Sequence, residues 1–470
     1  MKRILAVTTT ALVMASALSA CGGNSNSNND ASSSPSESAS ASASASTSEV
    51  SSNGSGEKVT INLWAFTDEI PNMEAKFIQT HPDLNVEFKN TVIATTDGAY
   101  QPALDQALAA GGKDAPDIYA AESAFVLKYT QGDASSYAAN YADLGLTDDL
   151  VKEAGIAQYS VDIGTLDGNL KGLGYQATGG SFIYRRSIAK EVFGTDDPAT
   201  IKDAVGPGWD KFFDAAAKLK EKGYAIVSGD GDIWHPIENS SDKGWIVDGK
   251  LHIDPKREQF LDYSKKLTDE GYSNGTQDWQ EAWYADMSGS GAKPVFGFFG
   301  PAWLINYVMN GQVKDTNGDW AVTEPTTGFF WGGTWVLANK DVTKDEAKAK
   351  VVSEFIKWIT LDTSDTGLQT YWANGTLKDG EPGTKDSVAS SVVMAKSNGT
   401  VELLGGQNMF EVFVPANANA TGKNLTQYDE SINQIWRDQV RSYAAGKKSR
   451  EDALKDFKQN VKDQLGIESE

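Results

Sequence analysis

Thirteen tryptophans, one cysteine and three histidines stand out in a chain of 470 residues with 64 acidic side chains. His81, His235 and His252 fall at no metal-ligand spacing, so the sequence offers no zinc-type site and calls for no cofactor. The segment DTNGDW, residues 315–320, mimics the start of a calcium loop, yet Trp320 sits where such a loop needs glycine. No Glu stands at its twelfth position, and a turn on Asn317-Gly318 explains the segment better. Asp232, Asp278 and Glu281 could supply the two carboxylates of a glycoside hydrolase. Aromatic rings give large contact area at low rotamer cost, which suits them to line a binding site.

Cys21 follows Lys2, Arg3 and a short apolar run over residues 4–18, the layout of a signal peptide rather than of a spanning helix. Leu18-Ser19-Ala20-Cys21 resembles the bacterial lipobox. That resemblance implies cleavage before Cys21, a diacylglycerol thioether on its sulfur, and a place on the extracellular face of the cell membrane. More than one acyl chain anchors far more durably than a single one.

Residues 1–20 thus read as a leader and 21–57 as a lipidated, disordered tether. The tether is Ser, Ala, Asn and Gly with one branched apolar residue, Val50, and cannot bury enough surface to offset the entropy of ordering. Net charge is −22, which argues against nucleic acid and against electrostatic docking on anionic lipid.

The remaining length predicts two domains. VTINLWA alternates Val59, Ile61 and Leu63 with polar neighbours, a strand signal. Helical spacing follows over about 71–79 and 101–110, and DAPDIYAA gives another strand. Strand–helix alternation recurs through GYQATGGSFIYRRSIAKEVFG, GWDKFFDAAAKLKEKGY and PVFGFFGPAWLINYV, predicting two α/β lobes with mostly parallel sheets.

The order of these segments is similar to the extracellular solute-binding proteins of sugar-importing ABC transporters, the group of the maltose-binding protein. VTINLWAFTDE resembles the family's opening strand, APDIYAAES its PDI strand, and GFFGPAWLINY its NGPWAW segment. WAVTEPTTGFFWGGTWVLAN resembles the strand returning to the first lobe. The resemblance implies a two-lobed periplasmic-binding-protein-like fold of type II, with a ligand cleft between lobes joined by crossing hinge strands. The lobes are expected at 58–172 with 326–378, and at 173–325 with 379–470. Ligands of open α/β sheets sit at the carboxyl ends of strands.

A sugar needs flat faces for its C–H patches and acceptors for its hydroxyls. The resemblance places Trp303, Trp331 and Gly333 at such a cleft, with Trp234, Asp232 and His235 in a loop carrying an aromatic contact. Asp68 and Glu69 end the first strand, and Glu122 follows the PDI strand. Gln176 and Thr178 mark the crossing into the second lobe; Thr178 stands where the maltose binder has an acid. Trp279 precedes a helix facing the cleft, and Tyr428 with Asp429 begins a late helix able to close over a ligand. Trp209, Trp283, Trp335, Trp358 and Trp436 read as core. The candidate loops look acidic, amidic and aromatic rather than basic.

The expectation is a non-enzymatic, monomeric receptor that hands an oligosaccharide to ABC permease subunits and meets the membrane only through Cys21. The alternatives are a tethered glycoside hydrolase, or the same fold holding a non-sugar solute.

Overall fold

The computed structural model describes residues 45–470, apart from 53, 55, 96 and 97. The expected leader, Cys21 and most of the expected tether lie outside the described residues. The strands that frame the molecule are, in chain order, β1 (Ser46–Ser51), β2 (Val59–Ala65), β3 (Val86–Val92), β4 (Ile118–Glu122) and β5 (Gly172–Gly174). They continue with β6 (Ser181–Arg185), β7 (Gly297–Gly300), β8 (Trp320–Thr323) and β9 (Thr334–Ala338).

One sheet runs β1-β3-β2-β4-β9-β5 and a second runs β7-β6-β8. Only β3, β2 and β4 are mutually parallel; β1, β9 and β5 pair antiparallel, and so do both neighbours of β6. The expectation of mostly parallel sheets therefore needs correcting. The strands that return from the other half of the chain run against their neighbours.

A second correction concerns the tether. Drawn as unstructured through residue 57, it instead pairs as β1 along the edge of β3, from Ser46 opposite Val92 to Ser51 opposite Glu87. The Ser52 hydroxyl then donates to the Leu84 carbonyl at 2.8 Å and accepts the Val86 N–H at 2.8 Å. Edge pairing satisfies backbone groups and needs no apolar side chains, so composition alone hid it.

The helices used below are α1 (Glu74–Thr80), α2 (Tyr100–Ala110), α3 (Trp209–Glu221), α4 (Gly231–Asn239) and α5 (Pro255–Asp269). After them come α6 (Glu281–Ser288), α7 (Glu346–Thr360), α8 (Asp429–Ala444) and α9 (Arg450–Leu465). In β2, Ile61, Leu63 and Ala65 face inward as the alternation requires, and they pack with Phe77 of α1 and Phe355 and Trp358 of α7. The opposite face of that sheet holds Tyr100 of α2, Tyr119 and Trp335. Around the second sheet, Phe182 and Phe299 pack with Phe212 of α3, Trp234 of α4, Phe260 of α5 and Trp436 of α8.

Two chain segments cross between the sheets, 175–180 and 324–333. They pair along their length: the Gly180 N–H donates to Phe329 O at 2.9 Å and the Trp331 N–H to Thr178 O at 3.0 Å. A Cβ on Gly180 would lie 1.9 Å from the Phe329 ring, so only glycine lets the crossings touch. The fold is a two-lobed α/β binding fold with hinge strands between its halves.

Candidate functional site

A cavity of about 490 Å³ opens between the carboxyl end of β4 and the inner faces of α4, α5 and α8. Each wall has a local cause. Glu122 ends β4 and turns back on its own chain, accepting the Ser123 hydroxyl at 2.7 Å and the Ala124 N–H at 2.9 Å. Burial pushes its carboxyl above the ordinary carboxylate range, with those donors and His235 pulling the other way.

His235 of α4 stacks on Trp331 of the second crossing, centroids 4.6 Å apart and planes 24° from parallel. Trp331 is fixed by its backbone: its N–H goes to Thr178, and its carbonyl accepts Trp303 Nε1 at 2.9 Å. Trp279 lies nearly parallel to Trp303 at 5.9 Å and edge-on to Trp331 at 5.7 Å. The result is a continuous aromatic platform.

Trp279 is 47 % exposed and adopts φ of 67°. A bulky residue in the left-handed region is strained and persists only where its surroundings over-determine it. Asp278 supplies that restraint. Its carboxylate is held by Arg437 and, at 3.2 Å, by Arg441. Burial alone would raise the Asp278 pKa, but the two guanidinium groups more than offset it and hold it below the usual value.

Beyond the platform the wall is ionic. Glu238 is half-buried, yet His235, Arg257 and the Asn433 amide keep its pKa below the ordinary value. Glu430 stands on the exposed rim, where lost solvation and the neighbouring charges of Glu238 and Glu122 raise its pKa. Among the described residues no cluster of three or more His, Cys, Asp or Glu side chains has the arrangement to hold a metal ion.

Of the residues singled out in the sequence, the structure brings Glu122, Trp234, His235, Asp278, Trp279, Trp331 and Asp429 to the cavity wall. Trp234 borders it from within the core, 1 % exposed and packed on Phe260, so it shapes the wall more than it offers a face. The others are elsewhere. Trp303 lies behind the wall and carries Trp279 and Trp331. Gly333 accepts the Ser123 N–H with its carbonyl at 3.0 Å, tying the crossing to β4, and its φ of 113° requires glycine. Thr178 is buried, donating to the Gly332 carbonyl at 2.8 Å and lying 3.1 Å from the Tyr159 hydroxyl. Gln176 is buried beside Val388.

Asp232 accepts the N–H groups of Ser228 and Gly229 and the indole N–H of Trp283, a buried loop clamp whose burial raises its pKa to about 7. Glu69 accepts the Tyr175 hydroxyl, Asp68 is exposed, and Tyr428 packs half-buried against the second-lobe core; none of the three lines the cavity. Trp283, Trp335, Trp358 and Trp436 are core as expected, while Trp209 is only partly buried.

The cavity is also more basic than expected, because Arg257, Arg437 and Arg441 all line it. The sequence did carry a signal for α8. Asp429, Asn433, Arg437 and Arg441 recur every fourth residue and form one polar stripe on a helix whose other inward positions are Ile432, Trp436 and Val440. The carboxylates considered for hydrolysis are committed otherwise: Asp278 to two arginines, Asp232 to backbone and indole, and Glu281 to solvent.

A two-lobed fold with a polar, aromatic-floored cavity where the crossings meet defines a solute-binding protein. The chain belongs to the bacterial extracellular solute-binding protein family, whose model matches residues 73–400. It is 25 % identical over 311 residues to a lactose-binding protein of Rhizobium radiobacter, covering 62 % of this chain and 68 % of that one. Among solved structures it resembles an extracellular solute-binding protein of family 1, with a TM-score of 0.68 at 17 % identity over 86 % of this chain and 99 % of the other. The sugar-binding protein MalE of Xanthomonas citri gives 0.64 at 16 % identity, over 87 % and 98 %. The galacto-N-biose/lacto-N-biose I-binding protein of Bifidobacterium longum gives 0.60 at 16 % identity, over 88 % and 100 %.

Proposed function

We propose that the protein captures a short oligosaccharide in this cavity and delivers it, unaltered, to the permease of an ABC transporter. In this reading it acts as a monomer held at the outer face of the membrane through a lipid on Cys21. Its lobes divide at 172/173, 325/326 and 378/379. The observation that carries the reading is the platform of Trp279 and Trp331 set opposite hydrogen-bonding acids, amides and guanidinium groups. Indole faces stack on sugar C–H patches, and the charged groups serve hydroxyls that both donate and accept. A volume of about 490 Å³ lies within the roughly 300–1,000 Å³ usual for small-molecule sites. Walls from both lobes give a ligand its differential affinity for the closed form, which is the only means by which binding drives closure.

Calorimetry of the purified protein against a saccharide panel tests this. The panel is lactose, β-1,6-galactobiose, lacto-N-biose and maltose, with chromatography of each mixture afterwards. The expected result is micromolar or tighter binding of at least one sugar with no product. Release of monosaccharides replaces this reading with a hydrolase; no binding of any sugar overturns it.

A further inference from the structure

The Trp279 ring is half-exposed, and its angle sets the face that a ligand meets. That angle depends on a backbone strained into the left-handed region. The carboxylate of the preceding residue, Asp278, is gripped by Arg437 and Arg441, and the grip has supports away from the cavity wall. Asp230, at the start of α4, accepts the Arg441 Nε–H at 3.5 Å. That hold leaves Nη2 of the same guanidinium on Asp278 at 3.2 Å. Asp230 does not border the platform cavity. It borders a second one, of about 480 Å³, together with Arg441 and Gln277.

Gly231 is the other support. A Cβ there would stand 2.4 Å from Asp278 Oδ1 and 3.0 Å from Arg437 Nη2. Its backbone is that of the first turn of α4, where alanine is ordinarily the better residue. Glycine is needed for room: it lets the carboxylate and the guanidinium close against the helix. Such an ion cluster could serve stability alone. What ties this one to the ligand is that its central member, Asp278, is bonded directly to Trp279.

We propose that Asp230 and Gly231 are positioning residues for the aromatic platform: they fix Asp278 through Arg441 and Arg437, and Asp278 fixes the ring of Trp279. With the network broken, the Trp279 backbone relaxes out of the left-handed region and its ring leaves Trp303. A neutral ligand then loses a stacking face because of two residues it never touches. This rests on the capture reading above and adds to it two residues outside the cavity that set affinity.

The test uses the whole protein with Asp230→Asn and Gly231→Ala, each alone and combined with Trp279→Ala. Calorimetry with the tightest-binding saccharide of the panel gives the penalties. Fluorine NMR of the sugar-free protein carrying fluorotryptophan reads the ring itself, whose resonance is the one missing from Trp279→Ala. Each single variant should lower affinity severalfold, and the penalty should vanish once Trp279 is gone, as coupling through that ring requires. The Trp279 resonance should move in both variants while those of the buried Trp335 and Trp358 stay in place. Penalties that persist without Trp279, variants that bind as the wild type does, or an unmoved resonance overturn the positioning roles and leave sugar capture standing. Where Trp279→Ala binds too weakly to measure, the resonance decides. Failure of every saccharide to bind the wild-type protein overturns capture, and a resonance that still moves then keeps the positioning.

Discussion

The two sides of the cavity are built differently. The β4 side contributes Glu122, Ser123, Ala124 and Leu127, a single turn whose acid is engaged with its own backbone. The other side contributes aromatic faces from the crossing and the 277–280 loop, plus charged stripes from α4, α5 and α8. Contact area and hydrogen-bonding capacity therefore concentrate on one side of the cavity. In the capture reading, that side holds the ligand and the β4 turn senses that it is held.

Substitutions on the two sides separate their contributions. Trp331→Ala has the largest expected effect, removing both a stacking face and the support of His235. Calorimetry should show a loss of about 2 kcal/mol or more, roughly thirtyfold in Kd. Asp278→Asn comes next, because it leaves Arg437 and Arg441 short of a buried partner and releases the strained backbone of Trp279. Affinity should fall by about tenfold, together with a lower thermal midpoint. Glu122→Gln should cost less in Kd than either while reducing the compaction that small-angle scattering reports on adding sugar. A larger loss at Glu122 than at Trp331 would reverse the roles of the two sides. Asp68→Ala, exposed and off the wall, should change neither affinity nor compaction.

Stability has its own pH signature, away from the cavity. Glu74 is fully buried beside Asn90, and burial raises its pKa from 4.5 to about 8. The folded protein therefore binds a proton that the unfolded chain has released. Stability from this group is intact below about pH 4.5 and is lost as pH rises to about 8, the direction shared by Asp386, also raised to about 8. Glu74→Gln keeps the shape without the titration. Urea melts should show the variant more stable than wild type by about 3 kcal/mol at pH 7 and nearly equal at pH 4.

Much of this architecture was legible in the residues. The alternation of β2, the spacing of α2 and the order of strand, helix and glycine turn follow from periods of 2 and 3.6. The site was legible only in part, for identifiable reasons. A tryptophan's sequence neighbourhood does not say whether it faces a cavity, as Trp279 does, or stands behind one, as Trp303 does; three separated segments decide that. Asp232 carries the same acid-in-a-glycine-loop signature as a ligand contact, but its partners are its own loop N–H groups. The α8 stripe was readable, but every-fourth-residue charge usually marks a solvated face, and only packing against α4 and α5 turns it inward.

The near-parallel stacking of Trp279 on Trp303 also gives the molecule a built-in optical reporter. The Trp279 ring stands half in solvent while Trp303 is fixed from behind, so a guest settling on the outer ring shields it from water and shifts its fluorescence emission. Occupancy can thus be followed by light alone, with no label added to either partner.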